Sequence, residues 1–462
     1  MKGYQFGFSD HAEILPLTLH LENKELYPND LYIQTITHIN PHERWLFGHF
    51  LALLPGSLAI KFFFLYILFT YLLVLGANKL FYYLSSSWSS SMIAILIIIG
   101  PLDGINTGGN ELFYNYLVPS LVAKSISIWG WYFFVNDKPQ ALVSYLLWAL
   151  AAYAQPLAGT QCFLLAVTIQ ILEYFQRKTW RWDFMVWVAL AGPWIAALYV
   201  ANKAAGPVWD LLIFRDAHHY YPPAFPTSHV VIVGGLSLLA LSLHGWNQRV
   251  RYFILLVLVG CLVYVFGIFK ENELVFKSQW FKTTVWVKAL GTLGLIMLGQ
   301  RIIQNRMWFI TGCLSLCFIL LAFRPFPPPY HFPWLKPRSD EIQIALEAKE
   351  LTRSDATFIV PWDFSAFRYY AERSLYVDYK SVAHHGSYYQ TWWPRIQTLY
   401  GLNPIQPGDL EKHRQMGSRY YHSLGKNEIK KLPVDYMVTD TSQMLTLPRI
   451  ASAGRYVIYQ IR

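Results

Sequence analysis

Residues 58–77 read LAIKFFFLYILFTYLLVLGA, a stretch in which Lys61 is the one charged side chain. About 20 such residues are needed to cross the hydrocarbon core of a bilayer as a helix. Similar apolar runs follow near 91–104, 116–136, 140–154, 157–175, 184–202, 227–244, 252–269, 283–300 and 307–323. The 462-residue chain is 54% hydrophobic, 17% aromatic and only 14% charged. Runs and composition together predict a polytopic α-helical membrane protein of about ten spans.

The net charge of +10 does not indicate a nucleic-acid partner. Much of it sits in short loops between apolar runs, where basic residues set orientation, and the chain carries no zinc pattern or arginine-rich arm. Cys162, Cys261, Cys313 and Cys317 all fall inside apolar runs and read as small buried residues. One set of alternate loops holds Lys79, Lys138, Arg177, Lys178, Arg181, Arg249, Arg251, Arg301 and Arg306, with Asp137 as its clear acid. The other holds Lys203, Arg215, Lys270, Lys277 and Lys282 among six acids. The positive-inside rule assigns the first set to the cytoplasm. The N-terminal segment 1–57, residues 203–226, residues 270–282 and everything beyond Arg324 are then expected outside.

Beyond the last apolar run the character changes. Residues 324–338 are proline-rich and read as an extended linker. Residues 339–462 read as a small α/β domain: SDEIQIALEAKELTRSDATFIVPWD (339–363) as a capped helix, a turn and a buried strand, then VDYMVTD (434–440) and RYVIYQIR (455–462) as further strands.

The polar clusters share the predicted outer face. The N-terminal stretch carries Asp10, His11, Glu13 and Asp30. Asp10 also suits a helix N-cap with Glu13 as its capping-box partner, and Asp30 suits a cap after Pro28 and Asn29. Residues 41–56 resemble a helix lying on the membrane surface. FRDAHHYYPPAFP (214–226) admits two readings. It is either an interfacial loop, or an anion site in which Arg215 grips phosphate and His218 or His219 donates to an oxyanion. Neighbouring residues of an extended chain point to opposite sides, so the two histidines make a poor metal pair. Lys277 and Lys282 form a third cluster, either snorkelling or functional. Lys124 and Lys288 lie within predicted spans and therefore demand partners or an aqueous cavity. In FRYYAERSLYVDYKS (367–381), Arg368, Arg373, Asp378 and Lys380 form either a solvated charged surface or a basic rim for a pyrophosphate.

GFSDH (7–11) with LYPND (26–30), AYAQPLAG (152–159), FRDAHHYYP, QWFK (279–282) and FRYYAERSLYVDYKS resemble a bacterial branch of the GT-C-type glycosyltransferases. These multi-pass enzymes use polyprenyl-phosphate sugars. The likeness spans nearly the whole chain, with diffuse motifs. It implies an inverting transferase on the external face of the inner membrane, with a polyprenyl-phosphate sugar donor and membrane lipids as partners. Asp10 would then be the general base, and Asp30 would orient the acceptor or hold a divalent cation, the one cofactor the resemblance admits. His11, Arg215, His218, His219, Lys277, Lys282, Arg368 and Arg373 would bind substrate, chiefly its phosphate. The family places a span before the acidic loop, so the reading frame upstream of Met1 is expected to encode one. Two other classes compete: a transporter or lipid-handling protein, and a non-catalytic scaffold whose outer domain binds a partner.

Overall fold

The computed structural model describes residues 4–136, 141–178, 180–203, 209–242, 246–303, 305–322, 332–334, 339–402 and 410–462. Most of the expected linker 324–338 lies outside the described residues, as do Asp137 and Lys138. The chain is mostly helical and divides into two compact units.

The first unit comprises Met1–Gly3, Phe64–Ala196 and Asp216–Pro328. Ahead of its helices stand α1 (His11–Glu22), α2 (Leu31–His38) and α3 (Trp45–Leu53) of the second unit. The apolar helices are α4 (Leu58–Ser85), α5 (Trp88–Ile99), α6 (Pro119–Val135), α7 (Ala141–Ala154), α8 (Pro156–Arg177) and α9 (Met185–Lys203). They are followed by α10 (Trp209–Tyr220), α11 (Thr227–Ser242), α12 (Gln248–Phe269), α13 (Glu273–Ser278), α14 (Thr284–Ile302) and α15 (Arg306–Ala322).

Among the described residues, four helical stretches are long and apolar enough to cross a membrane: Leu58–Ser85, Pro156–Arg177, Gln248–Phe269 and Leu274–Ile302. The expectation of about ten spans is therefore not supported. The other runs stop short for local reasons. α5 ends after 12 residues at Gly100–Pro101, and α6 begins only at Pro119. The run before Pro156 is cut by the restriction that proline places on its predecessor, and Gln155 caps the next helix through its side chain. The long helices present apolar side chains outward, as Phe64 (64% exposed) on α4 and Leu262 (71%) on α12 illustrate. Exposed apolar stripes of this kind mark a surface built for lipid or protein. Inward, Trp131, Trp148, Phe253, Ile254 and Leu293 belong to one buried apolar core. Gly291 of α14 faces α11 so closely that an added Cβ would stand 2.4 Å from the Leu236 carbonyl oxygen. A small residue there permits close backbone approach. Arg249 of α12 forks onto Glu173 of α8 at 2.7 and 3.0 Å.

The second unit comprises Tyr4–Phe63, Ala197–Arg215 and Pro329–Arg462. The N-terminal stretch, expected as a separate loop, thus belongs to the same compact unit as the α/β segment. Its remaining elements are α16 (Asp340–Leu351), β1 (Thr357–Ile359), α17 (Phe367–Ala371), β2 (Ser374–Leu375), α18 (Gly386–Tyr400), α19 (Leu410–Ser423), α20 (Lys426–Ile429), β3 (Tyr436–Asp440), β4 (Arg449–Ala453) and β5 (Tyr456–Gln460). The expected helix and three strands are present, with Ser339 capping α16 through the Ile342 N–H. The sheet order is β2-β1-β3-β5-β4; β1 runs parallel to β2 and β3, while β5 runs antiparallel to β3 and β4. Phe358, Val438 and Ile458 form its core with Ile344 and Ala348 of α16. Gly454 turns the β4–β5 hairpin at φ +53°, and its missing Cβ leaves room for the Asp340 carboxylate, which accepts the Arg455 N–H.

Candidate functional site

Arg368 organises the second unit. Its Nε reaches Asp30 Oδ2 at 2.7 Å, its Nη2 reaches Asp378 Oδ2 at 2.6 Å and its Nη1 donates to Ser381 Oγ at 2.8 Å. Asp30 is fully buried, and both of its oxygens are engaged. Oδ1 caps α2 by accepting the Ile33 N–H, while Oδ2 accepts the Leu375 N–H as well as Arg368. The cap expected of Asp30 is present; the arginine some 340 residues away is what sequence spacing could not show. Burial alone would make Arg368 easier to deprotonate, but the charges of Asp30 and Asp378 outweigh it and hold the guanidinium firmly ionised.

Around this centre the other candidates divide into positioning and accessible groups. Arg373 spends its five N–H donors on Thr352 Oγ1 and on the carbonyls of Ala371, Glu372, Lys349 and Thr352, closing the C-terminus of α16. His11 is buried; its Nδ1 accepts the Gly7 N–H at 3.0 Å, and its ring meets Phe62 edge-on. Arg215 is also buried and donates to the carbonyls of Tyr379 and Lys380. Glu13 is not the capping-box partner of Asp10. It pairs with Arg44 and accepts the Val382 N–H at 3.2 Å.

Asp10 behaves differently from all of these. It occupies the N-cap position of α1 in a helical backbone conformation and makes no side-chain capping bond. Its carboxylate instead meets Lys380 Nζ at 3.0 Å, with the two side chains 41% and 38% exposed. The segment carrying Lys380 is fixed from both sides. Arg215 holds the carbonyls of residues 379 and 380, and Ser381 donates to the Ala12 carbonyl at 3.2 Å. An accessible carboxylate and ammonium are thus mounted on a buried polar frame. Lys380 was legible as part of a charged stretch, but nothing in the sequence paired it with Asp10.

The first unit holds a second polar group. FRDAHHYYP is helical over most of its length, with a break at Asp216 (φ −123°, ψ 39°). His219 Nδ1 donates to the Gly108 carbonyl at 3.0 Å, and the rings of His218 and His219 stand 4.0 Å apart. Burial first, then the charges of Lys282 and His218, push the His219 pKa well below the usual histidine value. Lys282 carries a backbone carbonyl that accepts from Asn110 Nδ2 at 2.8 Å. Lys277 is exposed in the last turn of α13. Lys124 donates to Asn110 Oδ1, the Glu111 carbonyl and Tyr114 Oη. Lys288 donates to the carbonyls of Leu102 and Ile105 and lies 3.5 Å from Glu111 Oε2. Both intramembrane candidates therefore have partners, supplied by the irregular segment 100–118 between α5 and α6. Sequence reading placed its two ends in the apolar runs 91–104 and 116–136.

The donor set does not fit a resident divalent ion. Among the described residues no group of three or more His, Cys, Asp or Glu side chains is arranged to hold a metal, and the close partner of Asp10 is an ammonium. Residues 339–399 match a domain family described as a domain of unknown function (DUF6798). No curated protein sequence matches the chain.

Proposed function

We propose that the protein is an inverting glycosyltransferase of the external face of a bacterial inner membrane, taking its sugar from a polyprenyl phosphate. The observation that carries this reading is the Asp10–Lys380 pair. Of the three N-terminal carboxylates Asp10, Glu13 and Asp30, Asp10 makes no capping bond and meets an exposed lysine, whereas Asp30 and Glu13 are committed to structure. Four helices apolar enough to cross a membrane agree with a lipid-linked donor, and the asymmetry of basic residues among the loops supports the orientation.

In this mechanism Asp10 accepts the proton of an acceptor hydroxyl as that oxygen attacks the anomeric carbon. The bond from that carbon to the phosphate oxygen breaks, and its electron pair leaves with the lipid phosphate. Lys380 orients the carboxylate and presents a cation to the departing phosphate. Asp30, Arg215, Arg368 and Arg373 act as positioning residues that fix the two segments. No step is routed through a metal.

The test is transfer of radiolabelled sugar from a panel of polyprenyl-phosphate donors by the full chain in liposomes. Asp10→Asn retains shape but removes the proton acceptor, and should lower turnover by about 10²–10⁴-fold. Undiminished transfer by Asp10→Asn would reject the base assignment. Absence of transfer from every donor by the wild-type chain would reject the class.

A further inference from the structure

Tyr4, Phe6 and Phe8 are spaced by two, so an extended backbone would carry all three rings to one side. The fold separates them. Tyr4 is 4% and Phe6 8% exposed, whereas Phe8 is 53% exposed. The break lies at Gly7 and Ser9, which both adopt the left-handed region, at φ +76° and +54°. Glycine enters that region freely, but a serine there is strained and persists only where its surroundings hold it.

Those surroundings are specific. The Gly7 N–H donates to the buried His11 Nδ1 at 3.0 Å. The N–H groups of His11 and Ala12 donate to the carbonyls of Phe8 and Ser9 at 3.2 and 3.0 Å. The Gly7 backbone lies against Tyr370, where an added Cβ would stand 3.5 Å from both Cε2 and Oη. Phe6 meets Tyr369 and Phe62 edge-on. The turn that carries Phe8 outward is therefore fixed on both sides of that ring. Burial alone favours the opposite placement, and strained backbone of this kind is retained chiefly at ligand clamps and active sites.

Phe8 and Asp10 are two residues apart, so their Cα atoms lie within about 7 Å of one another. An aromatic ring thus stands beside an accessible carboxylate, which itself meets the Lys380 ammonium at 3.0 Å. A sugar ring matches this set, because its C–H face is apolar and its rim carries hydroxyls that donate to a carboxylate and accept from an ammonium. A serine or threonine hydroxyl brings no flat apolar face for the ring to cover.

We propose that Phe8 is the stacking platform for a saccharide acceptor, holding the sugar ring while one of its hydroxyls meets Asp10. This rests on the transferase reading and names the class of acceptor, which that reading leaves open. Phe8 takes no part in proton transfer; it selects and orients the molecule that loses the proton.

Saturation-transfer NMR on the full chain, in a detergent without a sugar headgroup and with no donor present, tests the platform. The probes are the methyl glycosides of glucose, galactose, mannose and N-acetylglucosamine. At least one should bind saturably, with its ring C–H protons receiving most of the magnetisation. Phe8→Ala should weaken that binding by about 10-fold, and Phe8→Trp should restore most of it. Phe50→Ala, at an exposed phenylalanine of α3, should leave it unchanged. In the transfer assay with a radiolabelled donor, Phe8→Ala should raise the acceptor KM while kcat is largely retained. No saturable binding of any of the four glycosides, or equal binding by Phe8→Ala, overturns the proposal even if transfer to another acceptor proceeds. Equal weakening by Phe50→Ala overturns it as well. Phe8-dependent glycoside binding by a chain that transfers from no donor rejects the transferase and supports the saccharide site.

Discussion

Replacing Arg368 by methionine preserves much of its apolar stem and removes the one cation shared by Asp30 and Asp378. Arg368 is 1% exposed, Asp30 0% and Asp378 7%, so water cannot readily replace the lost guanidinium. Stranding one partner of a buried ion pair costs about 3–5 kcal/mol. Protonation limits the loss: holding an ordinary carboxyl (pKa about 3.9) neutral at pH 7 costs roughly 4 kcal/mol, at 1.36 kcal/mol per pH unit. The stability deficit should therefore be small near pH 4.5 and grow as pH rises toward 7.5. A loss of 3–5 kcal/mol corresponds to roughly 6–20 °C in a unit of this size. Thermal unfolding of the full chain in detergent, followed by tryptophan fluorescence at several pH values, measures it. Adding Asp30→Asn and Asp378→Asn to Arg368→Met should recover part of the deficit at pH 7.5. A melting temperature within a degree of wild type at pH 7.5, or a deficit independent of pH, refutes the reasoning.

Asp10→Asn should leave thermal stability within a degree or two of wild type, because an exposed ion pair contributes about 0–1 kcal/mol; a large fall would mark Asp10 as structural. Asp30→Asn retains a competent cap but leaves Arg368 one charge short, so it should unfold at clearly lower temperature, and unchanged melting would contradict the network. Gly291→Val forces a side chain against the Leu236 carbonyl, at a cost of about 1–3 kcal/mol or more, and should reduce the yield of folded chain on size exclusion, whereas Gly312→Val, where a Cβ meets nothing within 4 Å, should not. His42 is buried, and desolvation first, then the charge of His49, lowers its pKa to about 4. The folded state thus binds fewer protons than the unfolded state between about pH 6.5 and 4. Stability from this group is complete above 6.5 and falls by on the order of 3 kcal/mol as pH drops through that window. His42→Gln should flatten the acid limb of the melting curve, and an unchanged limb would remove His42 as its cause.

What the sequence disclosed follows the range of the forces involved. Ser339 before DEIQ, the short apolar run in TFIV and the turn residues around them act over a few positions, so α16, β1, β3 and β5 were legible. The number of spans was not, because apolar composition marks 91–104 and 140–154 as runs although the helices there, Trp88–Ile99 and Ala141–Ala154, have only 12 and 14 residues. The short β2 and the exposed-edged β4 escaped for want of a pattern. At the candidate site Asp10, Lys380 and the basic residues of the first unit were visible as residue types. Their division into frame and accessible groups was not, since it depends on Asp30 meeting Arg368, and Arg215 meeting the carbonyls of 379 and 380, across more than 160 positions.

That division bears on how activity and stability should separate under mutation. Asp30 has two oxygens and three hydrogen-bond donors directed at them, so a proton taken up there would disrupt a cap, a strand contact and a buried arginine together. Such a carboxylate is a poor base because each turnover would unsettle the fold. Asp10 makes no capping bond, and its carboxylate meets Lys380 where both side chains are partly exposed. Catalysis by a carboxylate requires a group whose charge can change while its neighbours stay fixed. In this chain the buried frame fixes residues 379–381 and the start of α1, while the Asp10 and Lys380 side chains beside it are partly exposed.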